Sequence, residues 1–258
     1  MSDEVPEGDG VPRETPSPSV VPESPVEVPV EAVARVFGDR ADRAATYREL
    51  LATAGVERGL IGPREVPRLW DRHLLNCAYL GEVIDQGSSV IDLGSGAGLP
   101  GIPLALARPD LQIRLVEPLE RRYTFLREAI TELGLRDQVA VARGRAEDVR
   151  GEFSASVVTA RAVAPLKTLY GWALPLVVTG GHLVAIKGRS ASDEIAAAGE
   201  TLRQMGVTAA PEVLSVGPDD GTGTTVVRVA RGHGPLRAAT APAPPGAAKR
   251  RPGKGNRR

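Results

Sequence analysis

Val90-Ile91-Asp92-Leu93-Gly94-Ser95-Gly96-Ala97-Gly98-Leu99-Pro100-Gly101 is the stretch from which the rest of the chain is read. A short apolar run carries an acid near its end, glycines follow at alternate positions, and a proline leads into an alanine- and leucine-rich segment. The pattern predicts a buried parallel strand, a tight turn and a helix start. Glycine accepts positive φ and lets a ligand approach the backbone. Proline suits the first helical turn, where its missing N–H costs nothing. A helix N-terminus offers N–H groups to polar ligand atoms. A nucleotide-like ligand at this turn is the first functional expectation.

Outward from the turn, strand and helix signals alternate. Strands are expected at Val90–Leu93, Ile113–Val116, Val139–Ala142, Ala155–Ala160 and His182–Ile186. Helices are expected at Pro100–Arg108, Leu119–Leu133 and Leu166–Leu174, with a further one carrying Ile195, Leu202 and Met205. Such alternation implies a parallel sheet covered on both faces. Two late strand-like runs, Pro211–Ser215 and Thr224–Val229, lack a spacer long enough for a crossover and suggest an antiparallel ending. The expected fold is therefore α/β and Rossmann-like, and the expected ligand-binding domain covers 86–232.

Before the turn, Val33, Val36, Phe37, Tyr47, Leu50 and Leu51 recur at helical spacing, with a break near Gly38. A second helix after Pro63 would turn Val66, Leu69, Trp70, His73, Leu74, Cys77, Leu80 and Val83 inward. Residues 31–85 thus read as a helical cap. Arg72 and His73 on it face a ligand or nucleic acid, or His73 is a satisfied histidine on a packed helix.

The zero net charge of the 258 residues hides two opposite ends. Residues 1–31 carry eight acids and one arginine, and residues 1–30 hold seven prolines. From His233 to Arg258 there are seven Lys/Arg and no acid. Both ends, 1–30 and 233–258, are expected to be disordered; the basic one would add sequence-independent attraction to phosphates. No apolar run of about 18 residues occurs, so no membrane-spanning helix is expected. The lone Cys77 leaves no internal disulfide and no cysteine zinc site, and no metal site is expected. A cytoplasmic monomer is the resulting expectation.

Four positions give the ligand its chemistry. Asp92 precedes the glycines Gly94, Gly96 and Gly98; a carboxylate there repels a pyrophosphate but attracts a cationic amine. Glu117, ending the second strand, suits ribose hydroxyls. Ala146 and Glu147, after the third strand, can close over an adenine. Arg161 and Lys187, ending the fourth and fifth strands, can hold a carboxylate or an RNA phosphate. Together they favour S-adenosylmethionine over NAD.

With these residues assembled, the chain resembles the bacterial ribosomal RNA small subunit methyltransferase G family, also called glucose-inhibited division protein B. The resemblance spans roughly residues 45–230 and rests on Arg72-His73-Leu74-Leu75-Asn76, the Val90–Leu104 stretch with its Leu99-Pro100-Gly101-Ile102-Pro103 continuation, Ala146-Glu147, Thr159-Ala160-Arg161-Ala162 and Ile186-Lys187-Gly188. It implies a class I methyltransferase fold with seven strands, mostly parallel with an antiparallel last strand. It implies methyl transfer from S-adenosylmethionine to N7 of a guanine in 16S ribosomal RNA. Motif by motif, it puts Gly94, Leu99, Ala146, Glu147 and Arg161 at cofactor positions. The chain departs from the family pattern at Asn76-Cys77, where Asp-Ser is usual.

Guanine N7 is an unprotonated acceptor, so no general base is required and no proton-transfer residue is assigned. The chain lacks the Asn/Asp-Pro-Pro-aromatic run of amino-group methyltransferases. Cys77, on the expected cap helix, is read as lying away from the strand ends and unsuited to nucleophilic attack. Two rival readings remain at this point: an NAD-dependent oxidoreductase, and a non-catalytic RNA-binding protein that keeps the methyltransferase fold.

Overall fold

In the computed structural model, described for residues 29–219 and 223–237, the apolar runs form seven strands. They are β1 (Ser89–Leu93), β2 (Gln112–Val116), β3 (Val139–Ala142), β4 (Ala155–Arg161), β5 (Val177–Lys187), β6 (Glu212–Val216) and β7 (Thr224–Ala230). Their order across the sheet is β3-β2-β1-β4-β5-β7-β6. The first five run parallel, and β7 is antiparallel to both β5 and β6. The late antiparallel ending follows from the short β6–β7 connection. Residues 1–28 and 238–258, which hold most of the two expected tails, lie outside the described residues.

The helices are α1 (Val30–Phe37), α2 (Ala41–Leu50), the short α3 (Asn76–Ala78), α4 (Gly101–Ala107), α5 (Glu120–Glu132), α6 (Leu166–Ala173) and α7 (Ala191–Gln204). α1 and α2 break at Gly38 as expected. After Pro63 the expected single helix is not formed. Pro67 has no N–H to give an α-helix interior, so Pro63–Arg68 winds tightly as a 3₁₀ helix and Leu69–Leu75 then winds wide with π geometry before α3. Even so, Leu69, Trp70, His73, Leu74, Cys77 and Leu80 are buried as read, while Val66 and Val83 are only half-buried.

Strand alternation sorts the sheet into two faces. Val90, Ile113, Leu115 and Val157 join the cap residues Phe37, Tyr47, Leu51 and Leu74 in one apolar cluster. Ile91, Leu93, Val116 and Val158 join α6 and α7 through Leu169, Tyr170, Ala198 and Leu202 in the other. The cap therefore shares a continuous core with one face of the sheet. On that face alternation also places Asp92, Thr159 and Arg161, with Asp92 and Thr159 directly paired in register.

Two further expectations are corrected. β5 begins at Val177, five residues before the expected His182. The Gly180-Gly181 pair reads as a break, yet a side chain at Gly181 would collide with the Ser156 carbonyl of β4, so the strand needs glycine to pass so close. Residues 233–237, counted with the expected basic tail, are among those described. Leu236 packs on the α6–α7 cluster and the Arg237 N–H donates to the Met205 carbonyl at 3.0 Å. Leu236 is the last large aliphatic residue of the sequence, and its half-buried side chain anchors this segment on the cluster.

Candidate active site

The glycine turn links the carboxyl end of β1 to α4, where ligands bind in open α/β sheets. Gly94 has φ +70, and a Cβ there would stand 2.8 Å from Val163 Cγ2. Two acids brace the turn from beneath. Asp92 Oδ2 accepts from the Gly101 N–H at 3.0 Å. Glu117 Oε2 accepts from the Gly96 N–H at 2.9 Å, and Oε1 accepts from the Leu119 N–H at 2.9 Å. The Gly98 and Leu99 N–H groups are taken by the Ser95 carbonyl. These N–H groups, expected to await a ligand, are instead satisfied within the turn, which makes it a rigid support. From the cap, the Tyr47 hydroxyl donates to the Ala97 carbonyl at 2.7 Å.

Beside the turn lies a cavity of about 280 Å³, open to solvent and mostly apolar. Leu93, Gly94, Val116, Pro118, Gly144 and Ala146 form its wall, with Arg145, Glu147, Val163 and Trp172 around them. Ligand pockets run from roughly 300 to 1,000 Å³, so this one suits the nucleoside part of a cofactor. Of the expected residues, Gly94, Ala146 and Glu147 line it. Gly96 and Gly98 shape the turn, and Leu99 packs on the cap-side cluster. Glu117 sits between two lining residues, Val116 and Pro118, and is itself almost wholly buried. Val163 and Trp172 went unread in the sequence. Trp172 lies on the expected helix, but helical periodicity alone does not say which turn faces a cleft.

Asp92 is completely buried, and its Oδ1 has no hydrogen-bond partner among the described residues. Burial pushes its carboxyl up from 3.8 to about 7, against the opposing pull of the Gly101 N–H. A buried carboxylate with a free oxygen lacks a cation. Thr159 Oγ1, on the neighbouring strand, is likewise buried and unpartnered. The site thus holds an orphaned acceptor and a glycine cradle, both fitting a cationic nucleoside.

Arg161, half-buried at the end of β4, reaches into the cap. One guanidinium nitrogen lies 2.9 Å from Cys77 Sγ and the other 3.0 Å from His73 Nδ1. Cys77 is therefore at the strand ends, contrary to expectation: α3 brings its thiol to the Arg161 guanidinium at the end of β4. Its thiol is fully buried and burial pushes its pKa up, so it remains a poor nucleophile. Lys187 lies on the other face: its Nζ donates to the Ala164 carbonyl at 2.9 Å and to Glu194 Oε2 at 2.8 Å. Those bonds tie β5 to the loop before α6 and to α7. Among the described residues no three His, Cys, Asp or Glu side chains converge to hold a metal ion, and no helix is long and apolar enough to cross a membrane.

Comparison with known proteins agrees with this geometry. The sequence profile of the family described as GidB, rRNA small subunit methyltransferase G, matches residues 40–214. A protein named ribosomal RNA small subunit methyltransferase G from Nocardioides sp. is 55% identical over 86% of this chain and 84% of its own length. The protein of the same name from Renibacterium salmoninarum is 53% identical over 79% of this chain and 94% of its own. Among solved structures, the O-methyltransferase from Bacillus cereus in complex with SAH shares the fold, with a TM-score of 0.53 and 16% identity over 78% of this chain and 96% of that one. The chain belongs to the rRNA small subunit methyltransferase G family.

Proposed function

We propose that the chain transfers the methyl group of S-adenosylmethionine to N7 of a guanine in 16S ribosomal RNA, in the cytoplasm and as a monomer. Family membership supports rRNA methylation and sets aside both the NAD-dependent oxidoreductase and the non-catalytic RNA binder. The single observation that carries the cofactor assignment is the fully buried Asp92 oxygen, unpartnered among the described residues, beneath the glycine turn whose Gly94 lines an apolar cavity of nucleoside size.

When bound, S-adenosylmethionine supplies an electrophilic methyl group on a sulfonium. The residues here orient and hold. Val163, Trp172 and Ala146 offer apolar surface to an adenine, and Glu147 an acid near its amino edge. Glu117 keeps unused lone pairs on both oxygens for ribose hydroxyls. The uncompensated charge of Asp92 favours an amine above the turn. Arg161 keeps N–H groups beyond those spent on the cap, and these suit a carboxylate or phosphate.

A guanine N7 lone pair needs no base, so the chain's contribution is alignment of nitrogen, methyl carbon and sulfur, a proximity effect. The test is methyl-labelled cofactor offered to small ribosomal subunits, and separately to naked 16S RNA, from cells lacking this methylation. Label recovered as 7-methylguanosine supports the reading; label on another nucleoside, or none, rejects it.

A further inference from the structure

One chain of hydrogen bonds runs from the cap to the tip of β4. Glu65 Oε2 lies 2.8 Å from His73 Nε2, and His73 Nδ1 lies 3.0 Å from the Arg161 guanidinium. The three residues come from the 3₁₀ segment, the wide turns after it and β4, with 88 positions between His73 and Arg161. A guanidinium only donates. His73 Nδ1 must therefore accept, and the ring proton must sit on Nε2, donated to Glu65. The bond pattern allows only this neutral tautomer. We propose that His73, oriented by Glu65, is a positioning residue that holds Arg161 at the tip of β4 for the ligand's anionic group, and that it does so only while its ring is neutral.

The proposal rests on the reading of Arg161 as an anion-binding residue. A protonated His73 has no lone pair on Nδ1 and sets one cation against another, so Arg161 must leave its position. The groups facing the ring are Glu65, Arg72 and Arg161, with Cys77, Asp92 and Tyr47 around the guanidinium. Burial, and then the two arginines, lower the His73 pKa, while the Glu65 hydrogen bond raises it. The hold on Arg161 is therefore intact at neutral pH and lost as pH falls through a value below the ordinary imidazole range.

The shared ligand chemistry is an oxyanion, either the cofactor carboxylate or an RNA phosphate. Calorimetry with S-adenosylhomocysteine and with its decarboxylated analogue, beside KM for small-subunit RNA at saturating cofactor, separates the two. His73→Phe is expected to weaken the anionic ligand about tenfold at neutral pH, the size of one lost charge-assisted hydrogen bond. His73→Asn, whose amide oxygen stands near the Nδ1 position, is expected to recover most of that loss while showing no acid limb. Glu65→Gln is expected to move the acid limb to lower pH, since the charge that raises the His73 pKa is gone.

If the carboxylate is the partner, the decarboxylated analogue is indifferent to His73→Phe; if a phosphate is, KM for RNA rises instead. A His73→Phe protein that binds both ligands normally, with the wild-type pH profile, overturns the proposal. If Arg161→Ala is equally silent, the reading of Arg161 falls with it; if Arg161→Ala alone weakens binding, only the role of His73 is lost. Should His73→Phe not fold, the wild-type ring decides by ¹⁵N NMR, which with three histidines in the chain is readily assigned. A proton on Nε2 supports the relay, and one on Nδ1 overturns it.

Discussion

Replacing Asp92 with asparagine should stabilise the ligand-free protein and weaken its cofactor binding. The folded carboxyl titrates near about 7 instead of 3.8. Between those values the folded state binds a proton that the unfolded state has released. Stability from this group is therefore fully present below ~4 and is lost as pH rises, by about 1.4 kcal/mol per unit, until it levels off above ~7. The whole loss is on the order of 4 kcal/mol. Asparagine does not titrate and keeps an oxygen for the Gly101 N–H, but it buries an NH₂ group at a cost of about 1–3 kcal/mol. The net gain at ~pH 8 is then about 2 kcal/mol, or roughly 4–8 °C in Tm.

Thermal unfolding of both proteins from ~pH 5 to ~pH 8 reads the growing difference. Calorimetry with S-adenosylhomocysteine should show about tenfold weaker binding by the variant. Buffers of different ionisation enthalpy should show a fraction of a proton released by the wild type near pH 7 and none by the variant. A variant no more stable than wild type at any pH, with unchanged affinity, would refute the account of Asp92.

Three further outcomes follow from the same coordinates. Gly94→Ala must take φ +70 and meet Val163 at 2.8 Å, costing about 1–2 kcal/mol for the left-handed backbone alone; adding Val163→Ala should restore only the steric part, as chemical denaturation would show. Tyr47→Phe removes the bond to the Ala97 carbonyl and should cost about 1 kcal/mol, with faster hydrogen exchange in the glycine turn. Deleting residues 238–258 removes six Lys/Arg and should flatten the log–log salt slope of RNA binding by up to about 4; an unchanged slope excludes the tail from the interface.

The strands were legible because β1, β2, β4 and the second half of β5 are buried on both faces, which writes them as short apolar runs between turn residues. The acids Asp92 and Glu117 were legible because fixed offsets from the glycines put them at strand ends. What escaped was tertiary. Glu65, His73, Cys77 and Arg161 meet only because Pro67 diverts the expected helix and the cap folds over β4. Lys187 looks like Arg161 in sequence, at the end of the next strand, but alternation turns it to the opposite face, onto Glu194. Leu236 carries no periodic signal, yet its half-buried side chain packs on the α6–α7 cluster and ties the segment past His233 to the body.

A crystal structure with S-adenosylhomocysteine bound tests the central claim most directly. The account predicts adenine against Val163 and Trp172, ribose hydroxyls at Glu117, and the amine above the turn that covers Asp92. A ligand lodged elsewhere, or an amine turned away from Asp92, would contradict it.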